Sequence, residues 1–213
     1  ESCKKTCERL KAIGGIYFII MDNMYTDLLT GEWVAPKYLD DESFKRLCEN
    51  YRRLAAAVRS YGITPVFHPH GGTHVQTEEQ IDKMISLIPK EELRFCFDTG
   101  HHIYVEGNDV YSYTEKIADQ IEMLHYKDLV PEIKEKCWRE DIQYAQATKL
   151  NVFAEIGHGE IDWKRYGEIL KKIGFNGYAI IEHDCYPPTP GECLKIQKKT
   201  GRYLESAGCG TLK

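Results

Sequence analysis

Apolar positions along the chain follow two alternating rhythms. Short continuous runs read as strands buried in a parallel sheet: IYFIIM at 16–21, ITPVF at 63–67, LRFCF at 93–97, IEML at 121–124 and YAII at 178–181. The first run, bounded by Gly15 and Asp22, is expected to be buried on both faces. Between the runs the spacing turns helical. Cys3, Cys7 and Leu10 share one face of an opening helix, capped by Ser2 and ended by Gly14 and Gly15. From Asp41 onward Phe44, Leu47, Tyr51, Leu54 and Val58 recur at steps of three and four, and Gly62 closes the pattern. Thr77, Glu78, Glu79 and Gln80 have capping-box spacing before Ile81, Met84, Ile85 and Ile88. Further helices are predicted over 110–118, 132–149, 163–173 and 191–204, with Gly174 ending the third. The segment 152–156 fits either a strand or a loop.

Alternation of strand and helix is the pattern of a parallel sheet with helical crossovers. Strand ends near residues 68, 98 and 125 lie 30 and 27 apart, about one strand-plus-helix unit each. Five strands are read, or six with 152–156. An eight-stranded α/β barrel runs to about 250 residues, with 200 a low limit. The chain also opens on a helix and begins with glutamate rather than methionine. The expected fold is therefore a (β/α)8 TIM barrel lacking its first strands, with an open, doubly wound parallel α/β sheet as the alternative. No linker composition divides residues 1–213, so one domain is expected. A barrel of this kind must be closed by further N-terminal residues or by a partner segment, because open sheet edges are unfavourable.

Composition narrows the function. The 213 residues are 42% hydrophobic and 29% charged, ordinary values for a globular protein. A net charge of −5 argues against binding nucleic acid through its phosphates. The longest apolar run is six residues, too short to cross a membrane, and no signal peptide is expected. Eight cysteines without a CxxC pair read as reduced packing residues of a cytoplasmic protein.

The histidines carry the chemistry. His68, His70, His74, His101, His102, His125, His158 and His183 all fall at a strand's C-terminal end or in the loop after it, outside every predicted helix. Asp98, Asp128, Glu155, Glu182 and Asp184 share that edge. Sites of parallel α/β proteins are built there. Taken singly, each His reads as a satisfied loop residue and each Asp as a helix cap. Their joint placement points to one site. The clusters are HPHGGT at 68–73, FDTGH at 97–101, LHYKD at 124–128 and IEHD at 181–184. Imidazole and carboxylate on neighbouring strands suit a divalent ion: Mn, Co, Mg or Zn.

These motifs, with EIGHGEIDW at 155–163 and GYAIIEHD at 177–184, resemble the xylose-isomerase-like sugar isomerase/epimerase superfamily of TIM barrels. The HPHGGT stretch is most similar to the inosose dehydratases within it. The resemblance implies a divalent metal held by Glu, Asp, His and Glu on successive strands. Three of these fall on Asp98, His125 and Glu182. The first Glu has no counterpart; His68 takes its strand end, with His70 or the more distant Gln76 as alternatives. By the same resemblance His101 contacts substrate, and Lys127 and Asp128 hold substrate hydroxyls. It also assigns Glu155 to a loop after the His125 strand, whereas spacing alone makes 152–156 a barrel strand. The implied chemistry is proton abstraction α to a carbonyl. His70, His101, Glu155 and Glu182 are the catalytic candidates. The expected activity is that of an inosose-dehydratase-like lyase on a small polyol or sugar. A ketose epimerase or isomerase, a lyase acting on a keto-glycoside, and a non-catalytic partner subunit are the alternatives. Relatives of this kind imply a homo-oligomer or a second chain completing the barrel.

Overall fold

The strands appear in chain order as β1 (Tyr17–Met21), β2 (Thr64–His68), β3 (Arg94–Asp98), β4 (Ile121–Tyr126), β5 (Asp128–Leu129), β6 (Phe153–Ala154) and β7 (Tyr178–Ile181). This is a computed structural model that describes residues 2–185, 187 and 190–212. Five strands form one parallel sheet in the order β1-β2-β3-β4-β7. A doubly wound sheet reverses its strand order at a switch point. Here the order runs one way throughout, as it does around a barrel.

The sheet also curls. Rings of Tyr17 and Tyr178, on the two outermost strands, meet at a centroid distance of 6.1 Å. Tyr17 Oη donates to Glu122 Oε1 at 3.0 Å. Strand alternation divides the side chains between two faces. Phe67, Phe95, Phe97, Leu124 and Tyr126 belong to the main core beneath the helices. Val66, Cys96 and Met123, with Tyr17, form a small dry cluster on the concave face. Two residues further along the same strands stand His68, Asp98 and His125.

The concave face stays open at its edges. Ile19 and Met21 on β1 are 37% and 44% exposed, and Tyr178 and Ile180 on β7 are 47% and 45% exposed. The expectation that 16–21 is buried on both faces is corrected: β1 is an edge of an open half-barrel, and within it only Ile20 is fully buried.

Nine helices are described: α1 (Ser2–Ala12), α2 (Asp41–Arg59), α3 (Glu78–Leu87), α4 (Thr99–Tyr104), α5 (Val110–Lys116), α6 (Pro131–Arg139), α7 (Tyr144–Lys149), α8 (Trp163–Lys172) and α9 (Pro190–Ser206). The capping box at the start of α3 forms in full, Thr77 accepting from Gln80 N while the Gln80 side chain accepts from Thr77 N. Asp40 caps α2 through Ser43 N at 2.7 Å. Two readings change. Residues 132–149 make two helices rather than one, broken where Asp141 takes a φ of 48°. The one-turn α4 places His101 and His102 on a helix rather than in a loop.

Segment 152–156 contributes β6, which pairs antiparallel with β5 and lies outside the main sheet. This follows the resemblance and not the spacing. Among the described residues, no helix is long and apolar enough to cross a membrane.

Candidate active site

Parallel register brings the site together. Asp98 ends β3 opposite His125, the next-to-last residue of β4. His68 ends β2, and Glu182 follows β7, its N–H bonded to Tyr126 O at 2.9 Å. All four side chains emerge at the C-terminal edge of the concave face.

Asp98 does two tasks. Its Oδ1 accepts from His101 N at 2.7 Å and caps α4, which turns the His101 ring inward. Its Oδ2 is buried without a hydrogen-bond partner, as are both ring nitrogens of His125. Glu182 Oε1 stands 3.1 Å and Asp98 Oδ2 3.7 Å from His125 Nδ1. Burial raises the Asp98 carboxyl above its ordinary range. Glu182 is held far below it, because the His125 and Lys127 side chains outweigh its own burial.

Lys127, 1% exposed, sends its ammonium into this layer. Nζ lies 2.9 Å from Glu182 Oε2, 2.9 Å from Asp184 Oδ2 and 3.6 Å from Asp98 Oδ2. The carboxylates keep it charged against the cost of burial. Nζ also donates to His101 Nε2 at 2.8 Å. The His101 hydrogen therefore sits on Nδ1, which is buried and unpartnered.

His68 and His70 are pinned in the opposite sense. His68 Nδ1 donates to Cys96 O at 3.3 Å and His70 Nδ1 to Gly71 O at 2.7 Å, so each ring keeps its lone pair on Nε2. His70 lies against His101 at 3.5 Å between centroids with the rings tilted by 33°, and His68 lies 4.9 Å from the His125 ring. Burial pushes His68 down to about 3, His70 to about 4 and His101 well below its ordinary value. The rings are therefore neutral at pH 7, and His68 and His70 keep a free Nε2 lone pair, the form that ligates metals or accepts protons.

Ligand atoms of Asp98, His101 and Glu182 lie within 4.8 Å of one another, as do those of His68, Cys96 and His125, and those of His68, His70 and His101. Unpartnered Asp98 Oδ2 and His125 nitrogens beside Glu182 make a donor set that fits a divalent cation. Pinning ligand imidazoles through the opposite nitrogen to a carbonyl is the usual support for such a site.

Three expected site residues stand elsewhere. Asp128 is fully buried and spends its carboxylate on Leu129 N, Ile161 N and the Trp163 indole at 2.9, 3.1 and 2.9 Å, so it has no free lone pair aimed at a hydroxyl. Glu155 pairs with Lys199 on α9 at 3.0 Å, outside the cluster. Gln76 Oε1 accepts from Gly72 N at 2.7 Å and so supports the loop that carries His70. Lys127 reaches the site, but to the carboxylates.

Tyr144, absent from the sequence reading, packs its ring 4.9 Å from His70 and 5.5 Å from His101. Its hydroxyl donates to Asp184 Oδ2 at 3.0 Å. No motif surrounds it, and the break between α6 and α7 that aims it inward hid its role. Asp184 had only its place on the sheet edge to signal its part.

A singly wound parallel half-barrel with imidazoles and carboxylates gathered at its C-terminal edge is part of a TIM barrel whose edge groups could hold a metal ion. The chain belongs to the xylose isomerase-like TIM barrel family, whose sequence profile matches residues 1–204. It is 31% identical over 197 residues to an inosose dehydratase of Bacillus licheniformis, covering 91% of this chain and 65% of that protein. An inosose dehydratase of Clostridium perfringens is 29% identical, covering 87% and 61%. The chain thus spans less than two thirds of the length of these relatives. Its fold is shared with a crystal structure of the IolI protein with a bound zinc atom, at a TM-score of 0.69 and 21% identity over 96% of this chain and 68% of that one. The probable 3-DHS dehydratase AsbF of Bacillus anthracis shares it at a TM-score of 0.71 and 11% identity, with the same coverages.

Proposed function

We propose that the chain carries the active site of a divalent-metal-dependent lyase that removes a proton α to a carbonyl of a cyclic keto-polyol and expels water, as an inosose dehydratase would. The observation that carries this reading is the buried, unpartnered set of Asp98 Oδ2 and His125 nitrogens beside Glu182. Asp98, His125 and Glu182, with His68 in place of a third carboxylate, would hold the ion. When bound, such an ion polarises a carbonyl and stabilises the negative charge that develops as the proton leaves.

The chain's own residues divide the proton work. His70 is neutral and keeps its Nε2 lone pair, so it takes the proton. His101 presents Nδ1–H, held in that tautomer by Lys127, and gives that proton to the departing hydroxyl while the Lys127 ammonium passes one to Nε2, so the ring stays neutral. Asp184 holds Lys127 and is itself held by the Tyr144 hydroxyl, while the Tyr144 ring walls the site. The substrate is a small polyol or sugar, and eight cysteines without a disulfide suit a cytoplasmic enzyme.

The test is elemental analysis of protein purified without a histidine tag, followed by assay on keto-inositols. Near-stoichiometric metal that Asp98→Asn or His125→Ala removes, together with water loss from a keto-inositol, supports the reading. Solvent-hydrogen exchange or carbonyl migration without water loss would instead make the protein an epimerase or isomerase. Full turnover by Asp98→Asn would overturn the metal-site reading.

A further inference from the structure

We propose that Cys185 and Cys193 form a reversible disulfide, by exchange with a small dialkyl disulfide of the glutathione type, and that this bridge clamps the strand end bearing Asp184 to α9. The two sulfurs lie 3.6 Å apart, in van der Waals contact. They stand on different elements: Cys185 in the chain after β7, Cys193 in the first turn of α9. Both are half-buried, so a small disulfide can reach them.

The other cysteines are unsuited to exchange. Cys7, Cys48, Cys96, Cys137 and Cys209 are buried. Burial pushes the Cys48 thiol up to about 11 and the Cys209 thiol to about 12, which leaves little thiolate to attack. Cys3 and Cys7 come within 4.0 Å, but one turn apart on α1. Helical neighbours at that spacing hold their Cβ atoms about 5–6 Å apart. A disulfide needs roughly 3.5–4.5 Å, so a bridge there would distort the helix. A pair on separate elements has no such constraint.

The exchange balances without another reactant. One cysteine thiolate attacks the small disulfide, forming a mixed disulfide and releasing one small thiol. The second cysteine then attacks the protein sulfur of the mixed disulfide and releases the other. Two protein S–H groups are oxidised and one small disulfide is reduced to two thiols. The bridge has a local consequence, because Asp184 immediately precedes Cys185 and binds both Lys127 and Tyr144.

Incubating the native chain with oxidised glutathione, alkylating, and mapping peptides by mass spectrometry tests the bridge. The expected result is a 185–193 cross-link lighter by two hydrogens, reversed by dithiothreitol, with the other six cysteines alkylated. Free alkylation of Cys185 and Cys193 after oxidation, a persistent mixed disulfide on either, or pairing of either with a third cysteine would each overturn the proposal. Proteolysis tests the clamp. Cleavage between residues 185 and 193 should slow at least about tenfold on oxidation of the wild type and stay unchanged in Cys193→Ser. A bridged protein cut as fast as the reduced one would refute the clamp.

Discussion

At Lys127 one ammonium faces three carboxylates and an imidazole inside the barrel. The sequence places this residue correctly at a strand end but cannot say which way a four-carbon stem points. Gly100 explains the direction. A Cβ at that position would come within 2.5 Å of Lys127 Cγ, so glycine leaves the channel through which the stem runs. Removing the ammonium leaves Asp98, Glu182 and Asp184 uncompensated. Lys127→Met should therefore destabilise the metal-free protein by about 3–5 kcal/mol, the usual cost of orphaning a buried charge. Urea midpoints with and without saturating zinc check this, and the loss should shrink when a divalent ion shares the carboxylates. Asp128 behaves differently. Its carboxylate accepts from two backbone N–H groups and the Trp163 indole, so Asp128→Ala strands three buried donors. A loss of about 2–3 kcal/mol in denaturant melts is expected, with no change in metal content.

A buried ion pair helps tie down the segment between β1 and α2. His74 Nδ1 donates to Asp22 Oδ2 at 2.8 Å, and Nε2 donates to Pro36 O at 2.9 Å. Both nitrogens face acceptors, so the ring is an imidazolium. Asp22 also accepts from Tyr51 Oη at 2.7 Å and from His74 N at 3.1 Å. The Asp22 hydrogen bond raises the His74 pKa above its ordinary value, outweighing its partial burial. A raised folded pKa gives stability that is full below the unfolded value near 6.5 and is lost as pH rises through the folded value. The stability gap between wild type and His74→Gln should accordingly be largest at pH 6 and narrow above neutrality. Thermal melts across that range measure it. A gap that widens with pH would show the ring to be neutral.

Element identity was largely legible. The helix after Thr77 starts where its capping box predicts and the long helix starts at Asp41 as its spacing predicts, because an N-cap satisfies orphan amides locally. The break between α6 and α7 was not legible. The apolar spacing over 132–149 is helical on both sides, and the turn depends on Asp141 accepting a positive φ. With it went Tyr144. The one-turn α4 escaped for another reason: six residues carry too little periodicity to register.

Across the molecule, five parallel strands leave two unpaired edges, the outer sides of β1 and β7. Amides on those sides should exchange with deuterium much faster than those of β2, β3 and β4 when the chain is alone. Protection of β1 and β7 equal to that of β3 would mean that further strands close the sheet there, whether from the same polypeptide or another. Size-exclusion chromatography with light scattering on the same sample tells which.

What the sequence by itself determined is the five strands of the main sheet, the parallel alternation and the concentration of histidines and acids at one edge. Those follow from short continuous apolar runs and from helical periodicity between them, which need no knowledge of neighbours. Tertiary structure alone decided which of the edge groups meet. Asp98, His125, Glu182, His68, His70, His101 and Lys127 converge because curvature and register aim their strand ends inward. Asp128, one residue after Lys127, turns the opposite way to pin Trp163. Adjacent residues on an extended chain face opposite sides, so a motif that names both cannot tell which one reaches the site.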